Sequence, residues 1–367
     1  MKFSCDKYVL QQAAASAARA AAAKSPIPTL EGLLIEAGAN VRITGYDLKK
    51  AIYTTIDADI PEPGSVLIGA RLFCEMLRRM PDGIVTIEAE NGTVSVKCGK
   101  AAFNLVGLSA DDPDLPTVEA ENGVSLPQDL LKKMINECSF AVSTNESRPV
   151  YMGTLFEIEN NVLTMVSVDG YRLALRREAV EGYGDDCSFI VPGTALSDLE
   201  RLCGDSDERV VLSVGSKHIS FTVGNTVILS RRLEGDFLNY KKAIPESFRV
   251  TVKTARTDLL EVVERVSLII DSKNNAPLRL TFRKDAIDFV CTTPLGKAAD
   301  SCPCEGDGGD LEIGFNDHYL SDALKAAPAE EINVCLNTGS SPCILVPADG
   351  SDNFVYMVLP VRLRAGQ

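Results

Sequence analysis

The chain has 367 residues but no tryptophan and only two histidines, His218 and His318. Histidine is the commonest general base and metal ligand near neutral pH, and neither histidine sits in a metal-spaced pair. The eleven cysteines are scattered singly, apart from Cys302-Pro303-Cys304, and no paired CxxC units occur. That argues against a structural zinc site and for reduced, buried thiols in a cytosolic protein. Patterns of the type G-x-S-x-G, G-x-G-x-x-G and G-x-x-x-x-G-K-[ST] are all missing, so no acyl-transfer, dinucleotide or P-loop signature is present. No stretch approaches the roughly 20 apolar residues that span a bilayer. The opening Met1-Lys2-Phe3-Ser4-Cys5-Asp6 lacks the apolar core of a secretion signal. The run from Ala13 to Ala23 has no large apolar residue and is interrupted by Arg19, so it reads as a small-residue helix. The expectation is a cytoplasmic protein with no membrane span, no cofactor, no metal and no catalytic residues.

What is present is a globular composition, with 45% hydrophobic and 24% charged residues. The net charge of −14 would by itself repel a polyanion; the distribution of charge matters more than the sum. One order of elements recurs at a period of about 120 residues, the signature of an internal repeat. An opening helix is expected at Lys7–Ala22, at Pro127–Cys138 and at Thr257–Ile270, each with apolar residues at helical spacing such as Leu130, Leu131, Met134 and Ile135. A second helix follows a β-like stretch each time: Val66-Leu67-Ile68 into Arg71–Leu77, Phe189-Ile190-Val191 into Leu196-Ser197-Asp198-Leu199, and Leu311-Glu312-Ile313 into Tyr319-Leu320-Ser321-Asp322. Alternating strands and turns such as Asn91-Gly92 and Gly215-Ser216 close each copy. Two helices and about eight short strands, three times over, give an α+β fold with antiparallel sheets. Turn residues near Glu121-Asn122-Gly123 and Glu246-Ser247 set the expected domains at 1–121, 122–247 and 248–367.

Five segments spread along the chain resemble the bacterial sliding-clamp family, the beta subunit of DNA polymerase III. They are Met1-Lys2-Phe3, Ser167-Val168-Asp169-Gly170-Tyr171-Arg172-Leu173-Ala174, Gly235–Pro245, Ile313-Gly314-Phe315-Asn316 and Tyr356–Leu363. The second resembles the family's TDGHRLA segment and the third its GRFPDYRRVLP segment. The family commonly has Thr, His, Pro and Arg where this chain has Val168, Tyr171, Leu238 and Lys242, and Arg364–Gln367 extends past its usual end. The resemblance implies three clamp-type domains per chain and a head-to-tail homodimer ring around double-stranded DNA, without sequence preference. It also implies partners that carry clamp-binding peptides, among them the DNA polymerase III alpha subunit and the clamp loader. Closing a ring would also pair sheet edges that are otherwise exposed.

By the same resemblance, a peptide pocket between the second and third domains is formed by Tyr151, Val168, Gly170, Tyr171, Arg172, Leu173, Leu238, Lys242, Ala243, Asn316, Tyr319, Cys343, Met357, Val358, Leu359, Pro360, Val361 and Arg362. Leu, Met and Val would supply an adaptable apolar floor, and Arg172, Lys242 and Arg362 a basic rim. The bland alternative is ordinary strand core. DNA-facing positions are Arg19, Lys24, Arg78, Lys132, Lys133, Arg148, Arg201, Arg265 and Lys325, the helical ones carrying at least one base to every helix. Contacts of this kind go to phosphates and suit a ring that slides. Any one of them can equally be a solvated helix face. The implied dimer contact sets Phe103 and Leu105 against Ile269 and Ile270 of the other chain. Two rival classes stay open: an enzyme whose site lies on loops of a repeat fold, and a peptide-binding scaffold that never meets DNA. The acidic cluster Asp111, Asp112 and Asp114 reads as a solvated turn, with Pro113 and Pro116 breaking the chain.

Overall fold

A computed structural model describes residues 1–108, 123–181, 186–271 and 276–363; the Asp111–Asp114 cluster, the expected 121/122 boundary and the last four residues lie outside them. The described α-helices are α1 (Lys7–Ala17), α2 (Ala70–Arg79), α3 (Gln128–Ser139), α4 (Gly193–Leu202), α5 (Tyr240–Ala243), α6 (Arg256–Ser267) and α7 (Asp317–Ala326). Apart from the single turn of α5, they recur in pairs, as the repeat requires.

Local chemistry explains the ends. Asp6 caps α1, its carboxylate accepting the N–H groups of Tyr8 and Val9. The α-helix stops at Ala17, short of the expected Ala22, and tightens into a 3-10 turn over Ala18–Ala20. The alanine run has a packing reason. Leu10, Ala13, Ala14 and Ala17 are buried at i, i+3, i+4 and i+7, and these small side chains let the helix approach Val41–Tyr46 and Lys50–Ile56. The approach is so close that a Cβ on Gly45 would lie 2.1 Å from the carbonyl oxygen of Ala17. Pro127, expected in the first turn of a helix, instead ends the strand Gly123–Pro127, opposite Arg209. Helix α6 ends at Ser267, before the expected Ile270, and the chain leaves it through tight turns in which the Leu268 N–H donates to Arg265 and that of Ile270 to Ser267; Leu268 is 83% exposed.

The chain forms two compact units, and each repeat splits its strands between two sheets. The first unit takes residues 1–132, 181–184 and 194–232. It holds a five-stranded sheet from the first repeat, in the order Asp59–Glu62, Lys2–Asp6, Ile84–Glu90, Thr93–Cys98, Ala101–Val106. It also holds an eight-stranded sheet to which the first and second repeats give four strands each. The strands meet where Thr226–Arg231 pairs antiparallel with Lys50–Ile56, Thr226 opposite Thr54 and Ser230 opposite Lys50. A core around Phe3, Leu10, Ile35, Phe73 and Ile87 lies beneath α1 and α2.

The second unit takes residues 133–180, 185–193 and 233–367. Its eight-stranded sheet is built the same way from the second and third repeats. Arg172–Ala179 pairs antiparallel with Phe354–Val358, Arg172 opposite Val358 and Arg176 opposite Phe354. A four-stranded sheet from the third repeat ends on Gly296–Pro303, against which α6 packs. All these sheets are antiparallel. The Asn91-Gly92 step makes the expected tight hairpin, with φ of 46° and 77°.

Candidate functional site

The second unit gathers the expected pocket residues around the strand pair Arg172–Ala179 and Phe354–Val358. Val168, Leu173 and Met357 are buried with Leu155, Val166, Tyr240 and Ile344, and Tyr151, Leu238 and Leu359 pack half-buried against that cluster. The turn ahead of Arg172 is set by Asp169, whose Oδ1 accepts the N–H groups of Tyr171 (2.8 Å) and Arg172 (3.0 Å). Gly170 takes φ of 95°, a left-handed conformation that glycine adopts without strain. Tyr171 is 60% exposed and stacks on Tyr319 at 5.7 Å. The Leu359 N–H donates to the Tyr171 carbonyl at 2.8 Å, and the Val361 N–H to that of Gly314. Ala243 and Pro360 are half-buried, and Lys242 and Arg362 are exposed.

Four expected pocket residues have other work. Arg172 is not a free rim cation: its Nε bonds Asp169 at 2.9 Å and its Nη1 bonds Asp322 at 2.5 Å, while its guanidinium lies 4.7 Å from the Tyr319 ring. Asn316 is the N-cap of α7, accepting the Tyr319 N–H at 3.2 Å. Cys343 and Val358 are wholly in the core. The reasons differ: Asn316 caps a helix, a carboxylate on α7 lies within reach of Arg172, and the strands carrying Cys343 and Val358 have consecutive residues buried, hence both faces covered. The residues that hold these side chains in place carry no assignment from the sequence. Asp169 sets the turn and Asp322 holds Arg172. Tyr240 donates to Glu157, and Lys241 pairs with Glu157 and Glu159 at 3.0 and 3.1 Å, which anchors α5. Burial, and then the Glu157 bond, push the Tyr240 hydroxyl well above its usual range. One signal was in the sequence: Ser-Asp recurs at 197–198 and 321–322, and both aspartates hold a base.

The expected DNA-facing bases fall in both units. In the first, Arg19, Lys24 and Arg201 are exposed and make no ion pair among the described residues. Arg78 pairs with Glu75 at 3.1 Å and Lys132 with Asp205 at 2.8 Å. In the second, Lys133 is exposed and Arg148 stands over the Tyr151 ring at 5.9 Å. Arg265 pairs with Glu261 and Asp300, and Lys325 with Glu264 at 2.9 Å. Exposed pairs of this kind are weak enough for phosphates to compete with them. Phe103 is largely exposed and Leu105 half-buried on the edge strand Ala101–Val106. Ile269 and Ile270, half-buried, follow α6.

Among the described residues no group of His, Cys, Asp and Glu is placed to hold a metal, and no helix is long and apolar enough to cross a membrane. All eleven cysteines are free, and burial lifts the Cys74 and Cys203 thiols to about 11, far from a reactive thiolate. The fold is a threefold repeat whose copies share antiparallel sheets. Three family models cover nearly all of it, the N-terminal, central and C-terminal domains of the DNA polymerase III beta subunit, at residues 1–118, 125–239 and 241–362. The beta sliding clamp of Bacillus subtilis is 30% identical over 378 residues, spanning 99% of this chain and all of that one. That of Staphylococcus epidermidis is 32% identical over 357 residues, 94% of each chain. The solved B. subtilis sliding clamp superposes with a TM-score of 0.96 at 29% identity, covering 99% of this chain and 100% of that one. The Pseudomonas aeruginosa clamp solved with griselimycin gives 0.92 at 28%, again with 99% and 100% covered. The chain belongs to the DNA polymerase III beta subunit family, the bacterial beta sliding clamps. It is a non-catalytic processivity factor of DNA replication.

Proposed function

We propose that two copies of this chain close head to tail into a cytoplasmic ring around duplex DNA, with domains at 1–121, 122–247 and 248–367. The cleft along Arg172–Ala179 and Phe354–Val358 captures short apolar segments of the replicative polymerase, the clamp loader and other partners. The observation that carries the ring is the sheet edges. In each unit, the last hairpin strand of one repeat pairs with the fourth strand of the repeat before it, as Thr226–Arg231 does with Lys50–Ile56 and Phe354–Val358 with Arg172–Ala179. The same two strand types remain at the open ends: Ala101–Val106 from the first repeat and Gly296–Pro303 from the third, each with no further described strand on its outer side. Joining them between two copies repeats a junction the chain already makes twice and removes both edges.

Register follows from the turns. Gly99 and Gly224 open equivalent two-residue hairpins with φ of 56° and 55°. Carrying over the Thr226–Thr54 register sets Ala101 opposite Asp300 and Phe103 opposite Ala298 of the second copy. Because α6 packs on Gly296–Pro303, Ile269 and Ile270 then lie beside that junction as apolar anchors. In such a ring the basic helix positions serve as weak, sequence-independent phosphate contacts. The half-buried Leu238, Leu359 and Tyr151 beside a buried Met357 floor support the cleft.

The test is Phe103→Asp, examined by sedimentation and by retention on nicked circular DNA. Wild type should run at twice the 39.5 kDa chain mass and stay on the circle until it is linearised. The variant should run as a folded monomer and be lost from both DNA forms. A variant that remains dimeric and retained would end this reading of the edges. The cleft is tested separately with Leu359→Asp, which should weaken a Gln-Leu-x-Leu-Phe peptide by roughly tenfold or more, since an unpaired carboxylate would be buried on binding. Equal affinity with the dimer intact would move the cleft elsewhere.

A further inference from the structure

The frame that shapes the peptide cleft occurs a second time, in the first unit, with a different lining. Asp47 builds the same turn as Asp169, its Oδ1 accepting the N–H groups of Lys49 (2.9 Å) and Lys50 (2.8 Å). Lys50 takes the place of Arg172 and pairs with Asp198 of α4, as Arg172 pairs with Asp322 of α7. The Arg231 N–H donates to the Lys49 carbonyl at 2.9 Å, as that of Leu359 does to Tyr171. Position by position, Lys49 stands where the cleft has Tyr171, Arg231 where it has Leu359, and Arg232 where it has Pro360.

The lining is therefore basic where the cleft is apolar. One more cation joins it from the adjoining hairpin, Lys217, whose carbonyl accepts the Arg232 N–H at 3.0 Å; the neighbouring His218 lies opposite Arg231 in the strand pair. The carboxylates of this frame are already committed, Asp47 to backbone N–H groups and Asp198 to Lys50. Lys49 and Lys217 are exposed and make no ion pair among the described residues. His218 registers the local field: burial, then Arg231 and Lys217, hold its pKa below the ordinary histidine value. In a chain of net charge −14, a concentration of positive charge on one strand end is a local attractor for anions.

We propose that this strand end, around Lys49, Lys217, Arg231 and Arg232, is a second docking site that takes an acidic, Asp- and Glu-rich segment of a partner protein. A peptide is favoured over nucleic acid because the frame is that of the peptide cleft and because the cations lie on hairpin ends of the sheet; the expected phosphate contacts cluster on helices. Cations ringing a turn meet carboxylates carried on an extended segment, with long-range attraction speeding encounter. The assignment of ligand type rests in part on the reading of the apolar cleft.

The experiment uses full-length protein and a fluorescein-labelled peptide of alternating Asp and Glu, read by anisotropy at low and moderate salt. Wild type should bind, and added salt should weaken it. Lys49→Glu with Lys217→Glu should weaken it by roughly tenfold or more through like-charge repulsion, and the milder Lys49→Gln with Lys217→Gln should fall between. Neither pair should change binding of the apolar Gln-Leu-x-Leu-Phe peptide. Leu359→Asp should leave acidic-peptide binding untouched, so that loss of the cleft reading and loss of this one show up in different titrations. The proposal is overturned if the charge-reversed protein binds the acidic peptide like wild type. It is equally overturned if charge reversal weakens duplex DNA as much as it weakens the peptide, which would give the patch to phosphates.

Discussion

The two junctions between repeats share one backbone frame and are sealed by opposite chemistry. At the fifth residue of the fourth strand the first junction has Thr54, whose hydroxyl meets that of Thr226 at 2.9 Å with both residues buried. At the same place the second junction has Arg176, also buried, opposite Phe354. Its guanidinium bonds Glu137 on α3, Glu178 at 2.5 Å, and the carbonyls of Arg177 and Asn353 at 2.8 and 2.9 Å. Burial penalises the Glu137 carboxylate and raises its pKa, with the Arg176 bond opposing; for Arg176 the bonds to Glu137 and Glu178 outweigh its own desolvation. Main-chain pairing is thus indifferent to what fills the position, provided every buried polar atom is satisfied. The neutral seal is cheap to lose. The ionic one ties α3 to the strand junction and is costly to break.

That contrast can be broken at its strongest point first. Arg176→Met should destabilise the second unit by about 3–5 kcal/mol, because it leaves Glu137 buried without its partner. Hydrogen exchange of the Phe354–Val358 amides would read the loss, and adding Glu137→Leu should recover most of it. A single variant as protected as wild type would show that the ionic cluster is incidental. Thr54→Val should cost about 1 kcal/mol by stranding the Thr226 hydroxyl, and the double change to valine should be close to neutral. A double variant worse than the single would mean that packing, not hydrogen bonding, seals the first junction.

The turns offer a smaller test. Leu48 holds φ of 72° where its counterpart is Gly170, and it is 56% exposed. A branched side chain in the left-handed region is strained by about 1–2 kcal/mol, so Leu48→Gly should gain stability, though by less than this because glycine frees the unfolded chain. A loss of thermal stability would show that Leu48 makes contacts worth more than its strain. The smallest effect is on pH. The folded pKa of His218 lies below its unfolded value, so the unfolded chain binds the proton more readily. Its contribution is constant above the unfolded pKa, and stability falls as pH drops through the ordinary histidine range toward the folded value. His218→Gln should flatten that decline between neutrality and pH about 5; an unchanged slope would remove His218 as its source.

Most of the architecture was legible in the chain itself. Helical spacing at Leu10, Ala13, Ala14 and Ala17, strand alternation, and the Asn91-Gly92 turn are local consequences of residue type, and the threefold recurrence made each reading stronger. Helix ends were less legible. Helices α1 and α6 end at Ala17 and Ser267 with no Gly or Pro at the cap to mark the place. The expectation of a peptide pocket came only from resemblance to a family, since Leu173, Met357 and Val358 carry no mark that separates floor from core. The burial of Cys343 and Val358 and the capture of Arg172 by Asp169 and Asp322 depend on elements more than a hundred residues apart in part of the network.

Taken by itself, the sequence determined the elements, their threefold order and the absence of catalytic motifs, because propensity, periodicity and turn chemistry act over a few residues. Tertiary structure alone decided which strand of one repeat meets which of the next, which bases are neutralised, and which edges stay open. Those outcomes come from distant groups brought within hydrogen-bonding reach, and the energy that selects them exists only once the sheets have formed.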